Sequence, residues 1–386
     1  MTFSVIGIGT SLPPYRADQA DAAQFASELM PVDANAQRLL DAVYRRSGVQ
    51  HRHSVLLEDN PAGGNGSHAG HGDPDGARRS LYRCQTLFEP ATNASGGGPT
   101  TGERMVYYER HAGPLAVEAA RRAIQESCLS AEEIRHVVTV SCTGFTAPGV
   151  DLELIERLGL APTTTRTHIG FMGCHGAING LRVASALAAA DPSGAVLLCA
   201  VELCSLHHQY GWHPERIVAN ALFADGAAAV VGRRPAQQTA DAWRLRGTGS
   251  CILEQAHDMM TWRVQDHGFV MTLSPHVPSV IAERLRPWLE SWLQRHGRSI
   301  DAIESWIIHP GGPRVVRAVG EALDLEPSAT APSLDVLRQF GNMSSPTVLF
   351  ILDALQQQNA PTPCVMLAFG PGLAIEAALW DHRPDR

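Results

Sequence analysis

Cys174 is the residue whose setting points most directly to chemistry. It lies in GFMGCHGAING (170–180), between glycines and just before an apolar stretch that predicts a buried helix. Free backbone amides and the positive end of the helix dipole favour a thiolate at such a position. The same amides could stabilise the oxyanion that forms when the sulfur attacks a thioester. This pattern is typical of a nucleophile for acyl transfer.

Two further residues could assist that nucleophile. His309, in IIHPGGP, ends a buried strand, where a neutral imidazole can accept the thiol proton or donate to a developing enolate oxygen. Asn342, in QFGNMSSPTVLFILD, precedes a second apolar helix and can donate hydrogen bonds without titrating. Such an amide suits the enolate of a decarboxylating malonyl group.

Each of these residues also has a structural explanation when it is taken alone. Cys174 could be a small buried thiol at a tight turn, while His309 and Asn342 could serve only as turn or cap residues. The combination favours catalysis because two of them precede apolar helices in different halves of the chain. If the halves are related by a pseudo-two-fold axis, both helix starts point to one crevice, which His309 joins from its strand end.

The elements that must position these residues predict an α/β fold built from two copies of one unit. LFADGAAAVV and LAFGPGLAIEAALW share an aromatic residue, a tight glycine turn and an apolar strand. Alternating strands and helices indicate layered sheets, and the strand-rich second half indicates mixed pairing. We place the units at residues 1–235 and 236–386. Helices are predicted at 114–127, 152–160, 175–190, 313–323 and 344–358, and strands at 136–142, 195–204, 305–310 and on both sides of the turn in 363–380.

Composition and charge argue against several other classes of protein. The 386 residues are 44 % hydrophobic and 18 % charged, which is enough for a large core. A formal charge of -8 with no strongly basic run argues against nucleic acid as a partner. No apolar run approaches the ~20 residues that span a bilayer, and no basic leader is present, so we expect a cytoplasmic location. Eight scattered cysteines without CxxC or HExxH motifs predict neither a disulfide scaffold nor a zinc site.

One region has the composition of a loop. Residues 59–78 and 91–101 are rich in Gly, Asn, Ser, His and Pro, so we expect a mobile loop over about 59–101. His68 and His71 lie there without the spacing of metal ligands, and a solvated loop is the better interpretation.

Five motifs, in order, resemble the chalcone and stilbene synthase family, the type III polyketide synthases of the thiolase superfamily. They are GFMGCHGAING, NALFADGAAAVVG, WIIHPGGP, GNMSSPTVLF and AFGPGLAIE, and the similarity extends from about Phe3 to Trp380. The resemblance implies a thiolase fold, with two pseudo-repeated halves in a five-layered αβαβα arrangement, and a homodimer without metal or redox cofactor. It also implies Cys174 as the nucleophile, with His309 and Asn342 promoting decarboxylation and holding thioester carbonyls.

Other expected roles come from the same resemblance. Phe223 matches an aromatic gatekeeper between the cofactor tunnel and the reaction cavity, with a core aromatic beside a glycine turn as the alternative. Arg52 matches a basic residue that contacts coenzyme A phosphates, with an ordinary solvated arginine as the alternative. Matches to positions that line the cavity are found at Cys142, Thr143, Cys204, His207 and Ser344.

Several residues depart from the plant members of the family. Met271 stands in the place of a second aromatic gatekeeper, and its flexible thioether could admit a longer acyl chain. Ala147 replaces a methionine that reaches into the partner's cavity, His207 replaces a small hydroxyl residue, and His175 is also unlike the plant enzymes. These differences concern the starter and the product ring rather than the reaction class.

The sequence therefore predicts decarboxylative condensation of an acyl thioester with malonyl-coenzyme A, repeated to give a pyrone, resorcinol or phloroglucinol. The starter would arrive on coenzyme A or on an acyl carrier protein, and Met271 favours a fatty acyl group. The alternatives are a single-round condensing enzyme like ketoacyl synthase III and a thioester hydrolase that uses the same Cys, His and Asn.

Overall fold

The computed structural model describes residues 3–29, 33–57, 78–79, 87–89, 97–234 and 242–382. Most of the predicted loop, including His68 and His71, lies outside the described residues. The strands are β1 Phe3–Ser11, β2 Tyr15–Asp18, β3 His51–His53, β4 Arg78–Arg79, β5 Ile134–Ser141, β6 Thr165–Gly170, β7 Ala195–Leu203, β8 Asp225–Arg233, β9 Arg244–Ile252, β10 Met260–Gln265, β11 Gly268–Leu273, β12 Ser305–Ile308, β13 Cys364–Gly370 and β14 Ala374–Asp381. The helices are α1 Gln19–Glu28, α2 Ala34–Arg46, α3 Thr101–Ser127, α4 Val150–Leu158, α5 Gly176–Ala190, α6 Pro214–Leu222, α7 Val277–Gln294, α8 Pro313–Leu323, α9 Pro327–Phe340 and α10 Thr347–Gln357.

The main sheet repeats one arrangement in both halves of the chain. Its strand order is β12-β13-β14-β9-β1-β8-β7-β5-β6. Strand β5 is parallel to β7 as β12 is to β13, while β8 and β14 return antiparallel to β7 and β13. Strands β1 and β9 complete the two sets, each antiparallel to its neighbour, and they join the halves edge to edge. The strands of the two predicted copies therefore form one continuous mixed sheet.

Alternate residues of these strands face different helices, which gives the layers. On β7, Val196 and Leu198 belong to the core around α5 and α10, whereas Leu197 and Cys199 belong to the core under α3. On β13 the alternate residues face either α5 and α10 or the outer helices α7 and α8. Helix α5 contacts strands of both halves. The order is thus outer helices, strands, two central helices, strands and outer helices, which is the predicted αβαβα arrangement.

The largest difference from the predicted helices is at the start of α3. The helix begins at Thr101 rather than at residue 114, and it continues through Pro114. A capping box explains the early start: the Thr100 side chain accepts from the backbone of Glu103, whose carboxylate accepts from the backbone of Thr100. Packing of α3 along β1 then outweighs the local cost of the proline. Helices α1, α2, α6, α7 and α9 were not predicted from the sequence.

Strands β10 and β11 form a separate hairpin, whose residues line the cavities of the candidate site described below. Its two strands pair with each other and with no other described strand, and Trp262 lies directly opposite Met271 in the pair. None of the described helices is long and apolar enough to cross a bilayer.

Candidate active site

Cys174 lies in a short 3-10 turn that leads directly into α5. Gly173, the residue before it, has a φ of +70°, and a Cβ there would lie 2.3 Å from Cδ of Pro371. Glycine is therefore required both for its backbone conformation and for the close approach. This close approach packs the turn against the connection between β13 and β14, so Cys174 is fixed where the two halves meet.

Asn342 is held by backbone pairing beside Phe223. Its N–H donates to the carbonyl of Leu222 and its carbonyl accepts from the N–H of Ala224, both at 2.9 Å. The side-chain Oδ1 accepts a hydrogen bond from the backbone N–H of Ser344 at 2.8 Å. Because the carbonyl end of the amide is committed to the backbone, Nδ2 is the group left to donate into the reaction pocket.

His309 directly follows β12 and is only 1 % exposed. Its backbone N–H donates to the carbonyl of Leu367 at 2.8 Å, which fixes the residue to the sheet. Neither Nδ1 nor Nε2 has a hydrogen-bond partner among the described residues. Burial lowers the pKa of His309 to about 3, and repulsion from His175 adds to the shift. The ring is therefore neutral at physiological pH, and its nitrogens are available to a ligand.

The thiol of Cys174 is buried and protonated. Burial raises the pKa of Cys174 to about 12, against the opposing effect of hydrogen bonds from Ser344 and Asn342. The Ser344 hydroxyl donates to Sγ at 3.5 Å. The sequence had favoured a thiolate from the helix terminus, but exclusion of water outweighs the dipole here. If Cys174 acts as a nucleophile, a base must remove this proton.

The structure brings the three predicted catalytic side chains to one small cavity. Cys174, His309 and Asn342 line a space of about 30 Å³ together with Phe223 and Met271. No group of three or more potential metal ligands occurs among the described residues. The cavity therefore holds a thiol, an imidazole and an amide within a largely apolar wall.

A second cavity, of about 20 Å³, also contacts Cys174. It holds most of the residues that were predicted to line the reaction chamber. They are Cys142, Thr143, Cys204, Phe223, Met271 and Ser344.

His207 has a different place from these residues. It lines a third cavity, of about 40 Å³. Its Nδ1 accepts from the Phe269 backbone N–H at 2.9 Å, and its Nε2 therefore donates to the Thr143 carbonyl at 2.6 Å. The ring also stacks on Phe269 with centroids 4.2 Å apart. Burial lowers the pKa of His207 to about 3, so this residue is a neutral, fully bonded part of the wall.

Glu202 is a buried carboxylate that the sequence reasoning missed. It accepts hydrogen bonds from the backbone N–H groups of Cys142 at 2.9 Å and Thr143 at 3.0 Å, and from the hydroxyls of Thr143 and Ser345. Burial raises the pKa of Glu202 to about 7. The available signal was one acidic residue inside the apolar stretch AVLLCAVELC. Glu202 ties the chamber wall to the residues that precede α10.

Arg52 is buried, with 4 % of its surface exposed. Its Nη1 donates to the carbonyls of Asn220 and Phe223, and its Nη2 donates to Ala221 and to the side chain of Gln19. The guanidinium thus caps the carbonyl end of α6. Contact with coenzyme A phosphates remains a prediction for Arg52, and this geometry does not favour it.

A large groove leads from the protein surface to the catalytic cavity. Its volume is about 820 Å³, and Met271 lies on both the groove and the cavity that holds the three predicted catalytic residues. Arg46, Arg216 and Arg314 line the groove together with apolar side chains of α2 and α6. Glu215 also lines the groove, so its charged side chains are three arginines and one glutamate. A net positive charge beside an apolar wall suits an anionic ligand with an extended chain.

Comparison with known proteins shows which family this chain belongs to. Two models of the family described as chalcone and stilbene synthases match, the N-terminal-domain model over residues 89–235 and the C-terminal-domain model over residues 245–382. The chain is 32 % identical to the Mycobacterium tuberculosis protein named alpha-pyrone synthesis polyketide synthase-like Pks18, over 98 % of this chain and 91 % of that one. It is also 32 % identical to the 1,3,6,8-tetrahydroxynaphthalene synthase of Streptomyces peucetius, over 97 % of this chain and 92 % of that one.

Solved structures show the same relationship. PKS-I from the brown alga Ectocarpus siliculosus is similar with a TM-score of 0.86 and 30 % identity, over 98 % of this chain and 97 % of that one. The 1,3,6,8-tetrahydroxynaphthalene synthase of Streptomyces coelicolor is similar with a TM-score of 0.81 and 25 % identity, over 99 % of this chain and 100 % of that one. The likeness over the whole chain confirms the predicted thiolase fold.

Proposed function

The chain belongs to the chalcone and stilbene synthase family of type III polyketide synthases, and we propose that Cys174, His309 and Asn342 carry out its decarboxylative condensation of acyl thioesters. One observation carries this assignment: the buried thiol shares a cavity with an imidazole whose ring nitrogens have no partner among the described residues. The substrates of the family are acyl-coenzyme A and malonyl-coenzyme A.

The first step is acylation of Cys174. Neutral His309 accepts the thiol proton as the sulfur attacks the carbonyl carbon of the starter thioester. A bond forms between Sγ and the acyl carbon, the bond to the coenzyme A sulfur breaks, and His309 returns the proton to the leaving thiolate. Because the ring of His309 is unprotonated before the attack, a ring nitrogen is available to accept this proton.

The second step is decarboxylation of malonyl-coenzyme A and condensation. Loss of carbon dioxide leaves an enolate, whose thioester oxygen accepts hydrogen bonds from His309 and from Nδ2 of Asn342. The carbanion attacks the acyl carbon on Cys174, a carbon–carbon bond forms, and the Cys174 thiolate leaves. Repeated extension gives a chain that cyclises to a pyrone, resorcinol or phloroglucinol.

The groove described above is the proposed route for coenzyme A. Arg46, Arg216 and Arg314 can pair with its phosphates, and Met271 lies where the pantetheine arm would enter the catalytic cavity. These arginines take the role that was predicted for Arg52, whose guanidinium is committed to α6.

Several features of the assembly belong to the same proposal. Phe145 and Phe171 are 56 % and 38 % exposed, with ring centroids 6.3 Å apart, and a second copy of the chain would cover this patch in a homodimer. We further propose that the starter arrives on coenzyme A or on an acyl carrier protein. The enzyme would act in the cytoplasm, without a bound metal or redox cofactor. Similarity to enzymes named for pyrone and tetrahydroxynaphthalene synthesis favours this reaction over single-round condensation or hydrolysis.

The test is mass spectrometry of the purified protein with malonyl-coenzyme A and a panel of acyl-coenzyme A starters. We expect an acyl adduct on Cys174 and products extended more than once. Cys174→Ala should lose adduct and product, while Cys199→Ala, which removes another buried thiol outside these cavities, should keep both. Product formation by Cys174→Ala would overturn the mechanism, and thioester loss without malonyl consumption would indicate a hydrolase.

A further inference from the structure

His175 directly follows the proposed nucleophile, yet the mechanism above gives it no role. It is also one of the residues that differ from the plant members of the family. Its side chain is only 3 % exposed and lies where the turn of Cys174 enters α5. A buried imidazole costs stability unless its polar atoms are bonded, so the partners of His175 indicate what it does.

A chain of hydrogen-bonded side chains holds the ring of His175 in place. Its Nδ1 lies 2.8 Å from Oδ1 of Asn179, and Nδ2 of Asn179 donates to Oε1 of Glu376 at 3.1 Å. Glu376 pairs in turn with Arg182, which also donates to Oγ1 of Thr248 at 3.0 Å. Because Nδ2 of Asn179 is bonded to the carboxylate, its Oδ1 faces His175, and the proton of the neutral imidazole is on Nδ1. The chain therefore fixes both the tautomer and the orientation of this ring.

The same chain joins the two halves of the molecule. Asn179 and Arg182 lie on α5 in the first half. Glu376 is on β14 and Thr248 is on β9, and both of these strands belong to the second half. The turn that carries Cys174 is thus tied through His175 to the sheet of the half that carries His309.

The edge of the His175 ring opposite Nδ1 lies against β13, beside His309. A Cβ on Gly370, at the end of β13, would lie 2.3 Å from Cδ2 of His175 and 2.7 Å from its Nε2. The backbone of His309 is bonded to the same strand at Leu367. Ile307, two residues before His309, belongs to the core around α5 and α10, so the His309 side chain points to that face as well. The two imidazoles are close enough that repulsion from His175 lowers the pKa of His309.

No hydrogen bond from the described residues orients the ring of His309. A catalytic base is usually oriented by a third group, and a neighbouring ring that is itself fixed can do this by limiting rotation. We propose that His175 is a positioning residue for His309, whose imidazole it keeps directed at the thiol of Cys174 and at the enolate. The inference rests on the proposed role of His309 and adds the residue that orients it.

The experiment measures kcat and KM for decarboxylation of malonyl-coenzyme A, by mass spectrometry of the acetyl-coenzyme A that is formed. His175→Ala should lower kcat about tenfold and leave KM within about twofold, because a misdirected imidazole affects the transition state more than binding. In a His309→Leu background the same substitution should have no further effect, since His175 acts through His309. His53→Ala is the matched control and should keep the wild-type kcat. It removes another buried imidazole that is bonded through Nδ1, but one that lines none of the cavities described above.

A second variant tests the chain without removing the ring. Asn179→Ala takes away the partner of Nδ1 and should lower kcat in the same direction, by about threefold. A wild-type kcat in folded Asn179→Ala would overturn the inference even if His175→Ala failed to fold. An equal loss from His175→Ala with and without His309 would also overturn it, because His175 would then act independently. Full decarboxylation by His309→Leu alone would instead overturn the proposed function on which the inference rests.

Discussion

Strands β5 and β12 occupy equivalent places in the two halves, but the residues that follow them are in different states. After β5, Cys142 and Thr143 donate their backbone N–H groups to the buried carboxylate of Glu202. After β12, His309 is as deeply buried, yet its ring nitrogens have no partner among the described residues. The backbone N–H groups after β5 are thus bonded within the protein, whereas the ring nitrogens after β12 have no partner among the described residues.

We infer that the two equivalent strand ends have different roles, one in structure and one in substrate contact. Glu202 uses its hydrogen bonds to fix the wall of the chamber, and this stabilises the folded state. The ring nitrogens of His309 have no partner among the described residues, which keeps the ring available to substrate. Three predictions test this contrast, beginning with the largest effect, and a fourth compares the equivalent strands β1 and β9.

Substitution of His309 should remove activity with little loss of stability. His309→Leu should slow decarboxylation of malonyl-coenzyme A by about 100- to 1,000-fold, because the enolate loses a donor in a water-poor site. The midpoint of urea unfolding should stay near that of wild type, because no protein hydrogen bond to the ring is lost. A large drop in that midpoint would mean that His309 is a structural residue.

Substitution of Glu202 should have the opposite pattern. Glu202→Ala leaves the N–H groups of Cys142 and Thr143 buried without their acceptor, and we expect it to lower the free energy of unfolding by at least about 3 kcal/mol. Urea unfolding at about pH 4.5 measures this, because the contribution of Glu202 is fully present there. Unchanged stability together with lost decarboxylation would show that the first half, not the second, supplies the polar chemistry.

The charge of Glu202 should also make stability depend on pH. Burial raises its pKa from 4.5 to about 7, so the folded protein holds this proton more tightly than the unfolded chain does. Its contribution is fully present below about pH 4.5 and falls by up to about 3 kcal/mol as the pH rises to 7. The difference in unfolding free energy between wild type and Glu202→Gln should change in that direction. Asp225, whose pKa is also raised by burial, is common to both proteins and cancels from the difference.

The smallest expected effect is the difference in stability between two glycine substitutions, one on β1 and one on β9. A Cβ on Gly7 would lie 2.1 Å from the backbone oxygen of Ala123 in α3, whereas on Gly247 it would lie 2.2 Å from the side chain of His296. The half-buried imidazole can move, but the helix backbone cannot. Gly7→Ala should therefore cost about 2 kcal/mol more than Gly247→Ala in thermal or urea unfolding. Equal losses would mean that His296 is as rigid as the helix.

Much of the scaffold could be predicted from the sequence, because its signals are local. The apolar run before Pro313 and the periodicity after it predicted a strand and then a helix at 313–323, and both are present. Cys174, His309 and Asn342 were predicted as catalytic residues from their local motifs and from the family resemblance, and the structure brings them to one cavity. These residues lie at the ends of helices and strands, where the residue types that form turns can be identified from the sequence.

The remaining features depend on contacts that are distant in sequence. Arg52 looked like a surface cation because nothing near it shows that the end of α6 lies over its guanidinium. Glu202 and Trp262 escaped notice for the same reason, since their partners are 60 and 120 residues away. The protonation of Cys174 also followed from burial, which local sequence does not reveal.

The hairpin β10–β11 carries Trp262 and Met271 but shares no strand pairing with the main sheet among the described residues. Changes at these two positions would reshape the chamber without disturbing the ladder that holds the two halves together. Substitutions at these positions can therefore change the substrate range while the pairing of the main sheet is kept. A combinatorial library restricted to residues 262 and 271 should sample new starters while most of its members still fold.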